Sequence, residues 1–135
     1  MNIKEFEEKS VARARDDFGT DKAGGLYYGT ALAGELGELL NLVKKIERAK
    51  ISSKSAAQNT GHTVKAADIT KEMMEDEVGG VMAYLILLTH EYGIDLEDAT
   101  IKTFNTVSKE INSKHFLTTK EEKLKLLQEI MRDYE

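Results

Sequence analysis

The sequence predicts an all-α protein, a helical bundle of about five helices. The chain has no proline, aromatic residues are sparse at 7%, and its apolar residues recur over long stretches at the helical period. At 135 residues, with 41% hydrophobic and 32% charged residues, it fits a single soluble domain with a real core. The net charge of -5 argues against a nucleic-acid backbone as the main partner. A basic cluster of Lys44, Lys45, Arg48 and Lys50 still suits smaller anions. The absence of cysteine excludes disulfides, thiolate chemistry and cysteine zinc sites. The charged N-terminal stretch does not read as a signal. The longest apolar run, Val78 to Leu88, is too short to span a bilayer. No membrane partner and a cytoplasmic location are expected.

A first helix is expected from about Ile3 to Phe18, ending in the turn-like "FGTDKAGG". A second runs from about Tyr27 to Lys50, with Leu32, Leu36, Leu39, Val43 and Ile46 at helical spacing on one face. Its other side carries Ala33, Gly34 and Gly37, small residues that favour tight helix packing or the close approach of a ligand. Residues 51–69, "ISSKSAAQNTGHTVKAADI", show no sustained period and are expected to form a long connection. A third helix spans about Thr70 to Tyr92 and stops at Gly93. Asp95, with Asp98 three residues on, caps a fourth that runs to about Ser113. Thr118 and Glu121 match a capping box for the last helix, about 119–134. Its amphipathic "LKLLQEIM" reads as a packing or oligomer face.

Two of these helices carry acids on the wrong face. Glu35 and Glu38, in "GELGELL", lie on adjacent turns. Projected around the helix, Glu35 falls inside the apolar arc, between Leu42 and Ile46, with Glu38 at its edge. Glu77 lies within the stripe of Met73, Met74, Val81, Tyr84 and Leu88. A carboxylate facing a core is costly unless a salt bridge, a raised pKa or a bound cation compensates it. Two helices do this at matching spacing, and basic residues are scarce on the same faces, which favours a divalent cation. Oxygen ligands without His or Cys suit Mg²⁺ or Mn²⁺, and Mg²⁺ is commonly completed by substrate phosphates. The chemistry that follows is metal-assisted phosphoryl hydrolysis. His62, His90 and His115 show no metal-ligand spacing. Tyr27, Tyr28 and Tyr84 suit either core packing with a tethered hydroxyl or contact with a base.

"YYGTALAGELGELLNLVKK", "EDEVGGVMAYLILL" and "YGIDLEDATIKTFNTVSKE", in that order, resemble a MazG-type nucleoside triphosphate pyrophosphohydrolase over roughly Leu26 to Glu110. The family signature is an ExxE on one helix and an ExxD on the next. The resemblance implies that Glu35, Glu38 and Glu77 bind Mg²⁺ and are catalytic. It implies hydrolysis of a nucleoside triphosphate between its α and β phosphates, giving the monophosphate and pyrophosphate. It further implies a homodimer or homotetramer and a nucleotide near Asn105, with Lys109, Lys44 and Lys45 as candidates for its phosphates. The chain departs from the pattern twice. The two acidic motifs are unusually far apart, and Gly80 stands where the family has its Asp. Gly79 is expected to allow close packing. Gly80 leaves three accounts open: a site of three acids and waters, substitution by Asp76 one turn earlier, or a weakened or inactive hydrolase that still binds a nucleotide.

Overall fold

The computed structural model describes residues 2–51 and 68–132. Among them the only regular elements are five helices: α1 (Ile3–Asp16), α2 (Gly24–Ile51), α3 (Lys71–Glu91), α4 (Leu96–Glu110) and α5 (Lys120–Arg132). The predicted all-α class is therefore observed. None of these helices is long and apolar enough to cross a membrane. Most of the expected connection, His62, and the end of the expected last helix lie outside the described residues.

Helix ends follow local chemistry. Asn2 caps α1 by accepting from the Glu5 N–H at 2.8 Å. Thr70 caps α3 by accepting from the Met73 N–H, and Asp95 caps α4 by accepting from the Asp98 N–H at 2.9 Å. Each cap satisfies an orphan donor of a first turn. Gly93, at φ 63°, closes α3 in the left-handed conformation, so the Ile94 N–H reaches the Thr89 carbonyl at 2.9 Å. Asn112, at φ 52°, ends α4 in the same way, and Ser113 donates to Ser108. This places the end of α4 three residues before the expected Ser113.

Two other boundaries differ for tertiary or local reasons. α2 starts at Gly24, ahead of the apolar pattern, because its N-terminus packs under Tyr92: a Cβ on Gly25 would lie 2.6 Å from that ring. The capping box of α5 is Thr119 with Glu122, one residue later than the expected Thr118 and Glu121. The Thr119 N–H and Oγ1 donate to Glu122 Oε2 at 2.8 and 3.0 Å, and Thr119 Oγ1 accepts from the Glu122 N–H.

α2 and α3 form the main packed pair, and α1 lies against α3. Positions of close approach between α2 and α3 are Gly25 with Tyr92, Gly29 with Leu88, and Glu35 with Gly80. Residue numbers fall on one helix as they rise on the other, so the pair is antiparallel, and Glu38 stands level with Glu77. At its far end, His90 Nδ1 lies 3.0 Å from Glu7 Oε1 and ties α3 to α1. Buried apolar residues are Ala14, Tyr28, Leu42, Ile86 and Ile101. Tyr28 packs with its hydroxyl tethered, donating to the Thr20 carbonyl at 2.6 Å.

Much apolar surface stays in water. Leu36, Leu40 and Val78 are exposed around the acids, as are Phe104, Val107 and Ile111 of α4. α5 buries none of its residues and is anchored to the start of α4 by Lys120–Asp95 and Lys123–Glu97 ion pairs. The close packing expected at Gly34, Gly37 and Gly79 is not made by any described residue, since a Cβ at each would meet open space. These small positions lie on the outer side of the pair.

Candidate functional site

The acids sit along the seam between α2 and α3. Glu35 and Glu77 are partly buried, and Glu38 and Asp76 are exposed. The helix spacing that predicts a shared face thus holds, but the face is a seam open to water, which lowers the cost of the charges. No basic group among the described residues forms an ion pair with Glu35, Glu38, Asp76 or Glu77. Glu77 instead feels its neighbours. Desolvation first, then the charges of Glu38, Glu35 and Asp76, raise its pKa above the ordinary 4.5. Four acids without a described counter-charge leave a local excess of negative potential.

Gly80 is filled from across the pair. A Cβ built on it would fall 2.7 Å from Cδ of Glu35, with Oε2 nearer still. The space into which one of the three open accounts has Asp76 lean is therefore occupied by the Glu35 carboxylate.

The candidate phosphate and nucleotide residues divide into two groups. Lys45 lies seven residues beyond Glu38, on the same side of α2 and ~10 Å along it, whereas Lys44 points about a third of a turn away. Neither forms an ion pair with a described residue. Asn105 and Lys109 lie on α4, which packs on α1 and makes no substantial contact with the α2–α3 pair. Asn105 spends both ends of its amide on Leu117: Nδ2 donates to its carbonyl at 2.9 Å and Oδ1 accepts from its N–H at 2.8 Å. It clamps the segment that leads into α5. Asn105→Ala is expected to cost about 1–2 kcal/mol and to speed amide exchange at Leu117. Unchanged exchange there, with weaker nucleotide binding, would instead assign the side chain to a ligand.

A cleft of about 440 Å³ opens between α1, α2 and α3, lined by Ser10, Arg13, Phe18, Tyr27, Tyr84 and Leu87 among others. Its volume and apolar lining suit a small molecule. Tyr27 is braced edge-to-face on the buried Tyr28, with centroids 5.5 Å apart, and the Arg13 guanidinium lies 5.9 Å over the Phe18 ring. Ser10, in the wall, is 3% exposed, and its Oγ has no hydrogen-bond partner among the described residues. Such an orphan hydroxyl costs about 1–3 kcal/mol, and it lies behind the wall, out of reach of water from the cleft. On α3, Glu77, Gly80, Tyr84 and Leu87 recur at helical spacing, so the cleft continues the acidic seam. Sequence reasoning missed Ser10 and Arg13. The available signal was a serine in line with Phe6 and Ala14 on an otherwise apolar stripe.

Comparison of the chain with protein-family models, curated proteins and solved structures found no match. The site therefore rests on its own chemistry. Among the described residues, no three acidic or histidine side chains converge closely enough to hold a metal ion as they stand. The donors are of the type a hard divalent cation takes, oxygen only and without an ion pair among the described residues, but they do not stand as a ready coordination shell. Glu38 is exposed, and its torsions give it the freedom to turn toward Glu77.

Proposed function

We propose that this chain is a Mg²⁺-dependent nucleoside triphosphate pyrophosphohydrolase with a MazG-like helical fold, converting a (deoxy)nucleoside triphosphate and water to the monophosphate and pyrophosphate. One observation carries the reading: Glu35, Glu38 and Glu77 share a seam, repel one another and have no described basic partner. A purely structural salt-bridge network would need such partners.

Glu35, Glu38 and Glu77 would hold Mg²⁺, or Mn²⁺ in its place. The bound ion would neutralise charge on the phosphate oxygens and lower the pKa of a coordinated water. The side chains do the rest. Lys45 offers a positive charge to the triphosphate at one end of the seam. The cleft at the other end offers Phe18, Tyr27 and Tyr84 as faces for a base, with the Arg13 guanidinium for its polar edge. The acidic seam lies between these phosphate and base candidates. A second copy of the chain, in a homodimer or homotetramer, would cover Leu36, Leu40 and Val78 and the open glycines beside them.

A second reading is a nucleotide-binding module without turnover. It is favoured by the lack of three converging acids among the described residues. Pyrophosphate release from each common dNTP and NTP with Mg²⁺ separates the two. Release by the wild-type chain, lost in Glu38→Gln, is the expected result. Nucleotide binding without release supports the second reading, and full activity in Glu38→Gln refutes the assigned site.

A further inference from the structure

Hydrogen-bonding capacity in the cleft between α1, α2 and α3 is one-sided. Arg13 stands in its α1 wall, with the guanidinium 5.9 Å over the Phe18 ring. That contact draws on the positive charge. It leaves the N–H donors of Arg13 with no hydrogen-bond or ion-pair partner among the described residues. The neighbouring Arg15, by contrast, is held by Asp16. Among the described lining residues there is no acid and no side-chain amide, so no side chain there is a fixed acceptor. The hydroxyls of Tyr27 and Tyr84 donate or accept alike and impose no preference. Phe18, Tyr27, Tyr84 and Leu87 supply apolar faces. A flat ligand held between such faces meets a donor at its rim and gains there only by bringing acceptors.

We propose that the cleft selects 6-oxopurines, guanine or hypoxanthine, through a fork of the Arg13 guanidinium on the base O6 and N7. The proposal deepens the nucleotide reading given above and rests on its placement of the base. The edges of the bases decide the choice. Guanine presents two adjacent acceptors, O6 and N7, which match two N–H groups of one guanidinium. Hypoxanthine keeps both. Adenine and cytosine present an amino donor on the corresponding edge, so each faces Arg13 donor to donor. Uracil and thymine offer a single carbonyl beside a carbon, which leaves the fork half used. Arg13 is therefore the specificity-determining residue of the cleft, on a different helix from the acids of the seam.

Binding of GMP, IMP, AMP, CMP and UMP to the metal-free protein, read by isothermal titration, tests the selection without turnover. GMP and IMP are expected to bind roughly tenfold more tightly than the other three and to shift the Phe18, Tyr27 and Tyr84 ring signals in NMR spectra. Arg13→Lys keeps the charge but loses the fork, and it is expected to bind all five alike. Equal wild-type affinities, tighter binding of AMP, or no binding of any monophosphate overturns the proposal. So does a preference that survives Arg13→Lys. The two readings fail separately. Pyrophosphate release without any preference among the monophosphates leaves the enzyme reading standing and overturns the selection. Selective binding of GMP and IMP without release from any triphosphate refutes turnover and sustains the selection.

Discussion

Glu77→Gln is expected to make the protein more stable near neutral pH while lowering pyrophosphate release on the order of 100-fold. The two effects have one cause. Desolvation and the charges of Glu38, Glu35 and Asp76 raise the Glu77 pKa above 4.5, so the fold favours the protonated acid. An acid with a raised folded pKa contributes stability that is complete below its unfolded pKa and is lost as pH rises through the folded value. Near neutral pH the wild-type chain therefore carries the penalty of an ionised, repelled carboxylate, and the amide removes it. The melting temperatures of the two proteins should converge at about pH 4 and separate toward about pH 7, with the variant higher. Saturating Mn²⁺ should raise the wild-type melting temperature and leave the variant unmoved. A variant that is less stable near neutral pH, or that keeps its activity, removes Glu77 from the site.

Ile86→Ala is expected to be the most damaging single truncation, at about 2–5 kcal/mol. Ile86 is 1% exposed, the only large side chain among the described residues that is entirely out of water. The α2–α3 register places it level with Ala31, inside the packing that carries most of the fold. Removing three carbons there leaves a cavity that two stiff helices cannot close. Domain stability is typically about 5–15 kcal/mol, so the loss is a large share of it. Thermal unfolding should show a drop of roughly 10 °C or more. Val78→Ala, next to Glu77 in the chain but 48% exposed, should change it little, and equal effects at the two positions would contradict the packing described.

The helices and most of their ends were legible because the interactions that set them are local. Asp95 with Asp98, Thr70 with Met73, and the left-handed Gly93 all act within a turn of the chain. The last capping box was missed by one residue for an equally local reason: in "TTKEE" both threonines precede a glutamate by three. Sequence offers two boxes, and only the backbone path leading from Leu117, held by Asn105, selects Thr119. The start of α2 was misplaced because its glycines are poor helix formers by themselves and acquire their use only beneath Tyr92.

For the site, the sequence by itself determined that Glu35 and Glu38 share one side of a helix, that Glu77 lies on the stripe of another, and that cysteine and histidine play no part in the cluster. Periodicity settles such relations within a helix. Which residues meet between helices depends on register, and no local interaction specifies it. Tertiary structure alone decided that Glu38 stands level with Glu77, that Glu35 lies on Gly80, that Tyr28 is buried while Tyr27 faces the cleft, and that Ser10 is buried behind its wall without a partner among the described residues. Each is a relation between side chains distant in sequence, and it follows from how two helical surfaces interlock.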